Sequence, residues 1–204
     1  MAYLFHIKIE SINIYPLGGI SNFNMPLNIN PIKELLILIM GPIFQFLAYF
    51  LLLIILPNKK EIIEFYHYHI LIFNLLPIIP LDGGKLLFLL LQINISYYKS
   101  YKIIILISYL LTVTILWNKI DLNILITVLL LVLLVSKEYK KIKIRYEKFL
   151  LERYLKKQKY RKKRIITSEK NFYRNCTHLI KVGDKYSLEE EFLRKKYEKS
   201  QKSY

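Results

Sequence analysis

Four apolar runs divide the chain: residues 35–56, 70–91, 103–117 and 122–135. A membrane-spanning helix needs about 20 apolar residues, which the first two runs supply. The last two are shorter, but Trp117, Asn118 and Lys119 between them can reach the interface by local thinning or snorkelling. Ahead of the runs, Met1 to Phe5 read as the tail of an apolar helix. Ile7, Ile9, Ile12 and Ile14 then alternate with polar residues up to Pro16-Leu17-Gly18-Gly19, the pattern of a short β-hairpin. Short polar stretches at 57–64 and 93–102 read as connections. Behind the runs, Ile142, Tyr146, Phe149, Leu150 and Tyr154 recur at helical steps under a cationic face. The tail holds a β-like stretch at 178–182, a Gly183-Asp184 turn and a helix over 188–199. The pattern predicts an α-helical polytopic membrane protein with about four crossings, a short N-terminal β-hairpin and a small cytoplasmic tail. Three units follow from it: a membrane-embedded domain over 1–136, a basic helical linker over 137–164 and the tail over 165–204.

The run at 70–91 is irregular. Asp82 is its only carboxylate and Lys85 its only cation. A charge at membrane depth is costly and persists where it faces protein, water or a metal. Pro77 and Pro80 precede Asp82, and Gly83 and Gly84 follow it, so the helix must break there. A break inside a bilayer survives only where its freed backbone groups are buried in protein or line a wet cavity. Spacing alone leaves two readings open: the wall of a site, or a turn in which Asp82 caps the next helix or pairs with Lys85 at i,i+3.

Charge gives the orientation. The net charge of +16 is concentrated at 137–164, which carries fourteen Lys/Arg against three Glu. Directly after the last apolar run, this block predicts a cytoplasmic C-terminus. With an even number of crossings, the hairpin and the Asp82 end of the broken helix share that compartment. The basic block carries no nucleic-acid motif, and attraction to anionic membrane lipid accounts for it. No signal peptide is evident. The single cysteine, Cys176, excludes an intrachain disulfide and a cysteine zinc site.

Asn74-x-x-Pro77-x-x-Pro80-Leu81-Asp82-Gly83-Gly84 resembles the second signature of the site-2 protease family, membrane-embedded zinc metalloproteases of peptidase family M50. The resemblance implies that Asp82 is a Zn2+ ligand. The Pro16 to Gly19 turn, the Gly41-Pro42 helix and the Arg145 to Tyr154 segment follow in the order of the family's sporulation branch, which has six membrane helices and a C-terminal CBS domain. The tail here is shorter than that domain and reads as a CBS-like remnant. The branch implies proteolysis of a membrane-associated precursor, a pro-sigma factor, under control of inhibitory membrane partner proteins. Asn74 would donate to a developing oxyanion or to the substrate strand, or else cap the break. Gln45 would hydrogen-bond across the site cavity or to an adjacent helix.

The family's His-Glu-x-x-His is absent. The histidines are His6, His67, His69 and His178, and none stands in a His-x-x-x-His pair. A hydrolytic zinc needs three protein ligands and a base; these 204 residues offer one ligand and no base, and are expected to be inactive by themselves. The hairpin register would put the missing second His a couple of residues before Met1, which suggests a start assigned too late. The alternative is a catalytically dead membrane scaffold. His67 and His69 point about 200° apart on a helix; Glu64-x-x-His67 has the i,i+3 spacing of carboxylate-bridged metal bundles, but the histidines fall where an interfacial belt with Tyr66 and Tyr68 is expected, which speaks against a metal there.

Overall fold

A computed structural model describes residues 9–15, 18–23, 26–115, 121–156 and 160–201. Strands β1 (Ile9–Tyr15) and β2 (Gly18–Phe23) pair antiparallel, Tyr15 opposite Gly18. Residues 16 and 17 between them, with His6 and the segment 1–5, lie outside the described residues, as does Trp117-Asn118-Lys119.

Helix α1 (Pro31–Ile55) starts where the local chemistry places it: the Asn30 side chain accepts a hydrogen bond from the Ile32 amide at 2.9 Å, and Pro31 occupies the first helical position. Phe44, Leu47, Phe50, Leu51 and Ile54 all face outward, the reverse of a water-soluble helix. Helices α1, α4 (Tyr97–Ile115) and α5 (Leu122–Lys156) are each long and apolar enough to cross a membrane. Between α1 and α4 lie α2 (Lys60–Leu75) and α3 (Asp82–Asn94), each too short to cross alone.

Both polar connections expected from the sequence turn out to be helical. Residues 57–59 form one 3₁₀ turn, after which α2 begins at Lys60. Over 93–102 only Ile95 and Ser96 separate α3 from α4. The polarity that suggests a loop is instead an interior seam: Tyr97, Ser100 and Tyr101 are buried, and Tyr101 Oη donates to Glu138 Oε2 of α5 at 2.7 Å.

At 1.5 Å per residue, the 35 residues of α5 extend about 52 Å, well beyond a bilayer core of about 30 Å. The sequence reading of 137–164 as a linker crosses this helix, which runs unbroken through 136. Its far half is a stalk: Ile142, Tyr146, Phe149 and Leu150 are buried, with Phe149 stacked on Tyr97 at 4.4 Å. Against the stalk pack β3 (Lys162–Ile166), parallel to β4 (Cys176–Val182), then β5 (Lys185–Leu188), antiparallel to β4, and α6 (Glu189–Gln201). Gly183 takes φ +62 in the β4–β5 turn. Phe172, Ile180 and Leu193 join Phe149 and Leu150 in one core, so the tail is built onto the stalk.

This C-terminal unit has an acid-sensitive centre. His178 is fully buried; its Nε2 accepts from the Tyr173 amide at 2.9 Å, so Nδ1 carries the proton and donates to Glu189 Oε2 at 3.0 Å. Burial pushes the His178 pKa below 6.5, with the charges of Arg153 and Arg164 adding to the shift against the Glu189 bond. The contact with Glu189 is thus a hydrogen bond from a neutral ring. Burial would raise the Glu189 carboxyl, but hydrogen bonds from His178 and Arg153 and the Arg153 charge outweigh it and bring it to about 2. Both folded values lie below the unfolded ones, so the unfolded chain binds protons first as pH falls. His178 costs stability below pH 6.5, and Glu189 adds to the loss from 4.5 down towards 2. Hydrogen-exchange protection of β4 is expected to fall steadily from pH 7 to pH 4; flat or rising protection would contradict this.

Candidate functional site

Between α2 and α3 the backbone of residues 76–81 leaves helical pairing, within the apolar run that the sequence shows. Its amides are accounted for: Leu76 N–H bonds to Phe73 O, Ile78 N–H to Leu76 O, and Leu81 N–H to Ile78 O at 2.8 Å. The Ile79 amide donates to Ser108 Oγ of α4 at 2.9 Å, and that hydroxyl donates to Ile104 O at 2.7 Å. A neighbouring helix thereby satisfies the freed donor, as a bilayer interior demands. Pro77 and Pro80 are half-buried, Ile78 and Ile79 buried, and the Ile79–Pro80 peptide is cis.

Gly83 and Gly84 permit this packing. A Cβ on Gly83 would fall 2.1 Å from Leu75 O, and one on Gly84 2.4 Å from the Ile78 carbonyl. The first turn of α3 lies directly on the backbone it has just left, an approach open only to glycine.

Asp82 is the first residue of α3, where the helix dipole favours a carboxylate. Its side chain is 34% exposed. Oδ1 receives a hydrogen bond from Lys85 Nζ at 3.1 Å, while Oδ2 lies 3.2 Å from where a Cβ on Gly41 of α1 would sit. The i,i+3 pair allowed by the sequence is therefore formed, and Gly41 makes room for the carboxylate's other oxygen. Asp82 thus pairs with Lys85 and stands where α3 meets α1.

The other candidate residues fall into two groups. Asn74, in the last turn of α2, is half-buried, and its amide makes no hydrogen bond among the described residues; backbone groups and Ser108 close the break without it. Gln45, one turn beyond Gly41, donates from Nε2 to His67 O at 3.1 Å, so it ties α1 to α2. His67 packs between helices: it is buried, stacked on Tyr49 at 4.2 Å and edge-on to Phe46 at 4.9 Å. Glu64 accepts from Tyr49 Oη at 3.3 Å. Going from Tyr49 back to Glu34, α1 meets His67, then Asp82, then Gln92 through Arg174. Helices α2 and α3 therefore run the same way along α1.

Ser108 was not singled out in the sequence, although a signal exists: Ser100, Ile104, Ser108 and Thr112 are all fully buried or nearly so and recur every four residues, the small-residue spacing of a membrane helix seam. Arg174 and Arg153 carried no such signal. Arg153 meets Asn28 Oδ1, ahead of α1, at 3.1 Å and Glu189 Oε1 at 2.6 Å. A cavity of about 870 Å³ lies beside it, lined among others by Tyr160, Lys163, Glu190 and Arg194.

Among the described residues no three His, Cys, Asp or Glu side chains converge, and Asp82 has a lysine for its nearest charged partner. The described residues do not make a zinc site by themselves.

No family model matches the chain. It is 34% identical over 216 residues to stage IV sporulation protein FB of Bacillus subtilis (strain 168), across 92% of this chain and 73% of that relative.

Proposed function

This chain belongs to the site-2 protease family, in the branch of stage IV sporulation protein FB, and from that premise we propose that it forms the Asp-bearing membrane core of an intramembrane protease. Its substrate class is a membrane-associated protein, by resemblance a pro-sigma factor. Four crossings are made by α1, by α2 and α3 as one interrupted crossing, by α4 and by α5, with the C-terminal unit on the cytoplasmic side. The supporting observation is a carboxylate on the first turn of a helix that starts within the apolar interior. At 1.5 Å per residue, Asp82 stands about 15 Å along α3 from Gln92, which meets the C-terminal unit. In this reading the glycines and prolines hold the break, and Asp82 is the carboxylate that the family's motif dedicates to zinc. Half-buried with an unused amide, Asn74 is a donor available to a substrate strand. These 204 residues lack two ligands and the base, so hydrolysis by them alone is not part of the proposal.

A second reading has its own support. The Lys85 ammonium, 3.1 Å from Asp82 Oδ1, offsets the charge of the half-buried carboxylate, as a scaffold that holds substrates or partner helices without cutting would require.

Coexpression with a membrane-tethered substrate separates the two. The 204-residue chain is expected not to cut. Where in-frame codons upstream of Met1 encode His-Glu-x-x-His, the extended chain should cut, and Asp82→Asn should lower cleavage by more than about 100-fold, since even residues behind a metal ligand cost 10–100-fold. Turnover by the 204 residues, or full cleavage by the Asp82→Asn form, overturns the protease reading. An upstream stop codon together with stable capture of the substrate supports the scaffold.

A further inference from the structure

The C-terminal unit touches, at one end, each of the three helices that build the Asp82 site. Residues 172–174 make the contacts. Phe172 O accepts from the Tyr97 amide at the start of α4 at 3.0 Å. Arg174 Nη1 lies 2.5 Å from Glu34 Oε2 in the first turn of α1 and donates to Gln92 Oε1 near the end of α3 at 3.2 Å. Farther along the same helices stand Ser108, Gly41 and Asp82, which define the break and the carboxylate's place.

The levers are short and stiff. From Glu34 to Gly41 is about 10 Å along α1, and from Gln92 to Asp82 about 15 Å along α3. A change in separation at the Arg174 end is carried to the place where Gly41 faces the Asp82 carboxylate, whose Oδ2 lies 3.2 Å from where a Cβ on Gly41 would sit.

Arg174 is also oddly built for a packing residue. Its side chain is 3% exposed, yet its Nε has no hydrogen-bond partner among the described residues, nor do Gln92 Nε2 and nearby Ser96 Oγ. The Glu34 contact is close enough for an ion pair but is not aligned as a hydrogen bond. A buried polar junction satisfied only in part is a poor permanent weld. The Arg174–Glu34 ion pair joins α1 to the C-terminal unit there.

We propose that Arg174 is a positioning residue that fixes, from the C-terminal unit, the spacing of α1 and α3 and thereby the contact between Gly41 and the Asp82 carboxylate. The role rests on the reading of Asp82 as the site; the spacing itself can be measured without turnover. The full 204-residue chain, carrying Cys176→Ser, is placed in phosphatidylethanolamine and phosphatidylglycerol vesicles. Spin labels at Phe44→Cys and Leu90→Cys, both outward-facing, report the α1–α3 separation. A second pair at Ile32→Cys and Leu155→Cys, also exposed, reports whether the stalk remains against the start of α1. Arg174→Ala and the milder Glu34→Gln should each shift or broaden the first distance distribution beyond its parent width while the second stays in place, and Arg174→Lys should restore part of the first. An unchanged first pair in both variants overturns the proposal. Joint loss of both distances also overturns it, because Arg174 would then merely attach the unit. Absence of proteolysis by the extended chain in the coexpression experiment would sink the functional reading and leave this one standing.

Discussion

Alanine at Gly83 or Gly84 is expected to prevent the helix break from closing. Helix propensity alone predicts the opposite sign, since alanine in place of glycine within a helix gains about 1 kcal/mol. Contact decides against it. The added methyl would stand 2.1 Å from Leu75 O or 2.4 Å from the Ile78 carbonyl; both are backbone, Ile78 O accepts from the Leu81 amide, and Ser108 holds the Ile79 amide beside it. Overpacking typically costs about 1–3 kcal/mol where side chains can give way; here only the break itself can move, so each substitution should cost at least about 3 kcal/mol. Gly183→Ala is the control. It has open space and only a left-handed backbone to resist it, a cost of about 1–2 kcal/mol. Thermal unfolding in lipid or detergent should rank Gly83→Ala and Gly84→Ala well below Gly183→Ala, and equal midpoints would show that the close approach is not real.

The second large effect is expected from Arg153→Ala. The guanidinium donates to both Glu189 oxygens, to Asn28 Oδ1 at 3.1 Å, to Tyr173 O at 3.2 Å and to Cys176 O, and it lies over the rings of Phe149 and Tyr160. Its removal leaves the Glu189 carboxylate buried beside a neutral histidine, and an uncompensated buried charge of this kind costs about 3–5 kcal/mol. Because the charge is the cause, Arg153→Ala with Glu189→Gln should be less damaging than Arg153→Ala alone. Arg153→Lys should rescue little, since an ammonium cannot replace the planar fork. Limited proteolysis of residues 160–201 measures all three forms. A double variant no better than the single one would shift the explanation from charge to lost packing.

The Asp82 break was legible because its causes are local. Two prolines and two glycines around one carboxylate dictate an interruption whatever surrounds them, and the family motif added a role for the acid. The stretch at 93–102 was misread for a complementary reason: tyrosines and serines look alike in a sequence whether they meet water or, as Tyr97, Ser100 and Tyr101 do, a second helix. Strand β3 was hidden by its cations, since only Ile166 of its five residues is buried. Gln45 had been left with two roles, and only the position of α2 selects the bond to His67 O.

By itself, then, the sequence determined an apolar, helical membrane protein, the place where one helix must break, the single acid at that break and the basic stalk beyond the last span. These are consequences of periodicity, hydropathy and backbone chemistry, all of which act between neighbours in the chain. Tertiary structure alone decided that Gly41 accommodates Asp82, that Ser108 closes the break, that Arg174 joins the C-terminal unit to α1 and α3, and that Arg153 joins it to α5 and to Asn28 ahead of α1. Such partners lie 82 residues apart for Arg174 and Gln92 and 125 for Arg153 and Asn28. Charge and hydrogen-bonding capacity are written in the side chain, but the partner that meets them is chosen by packing, which no local pattern encodes.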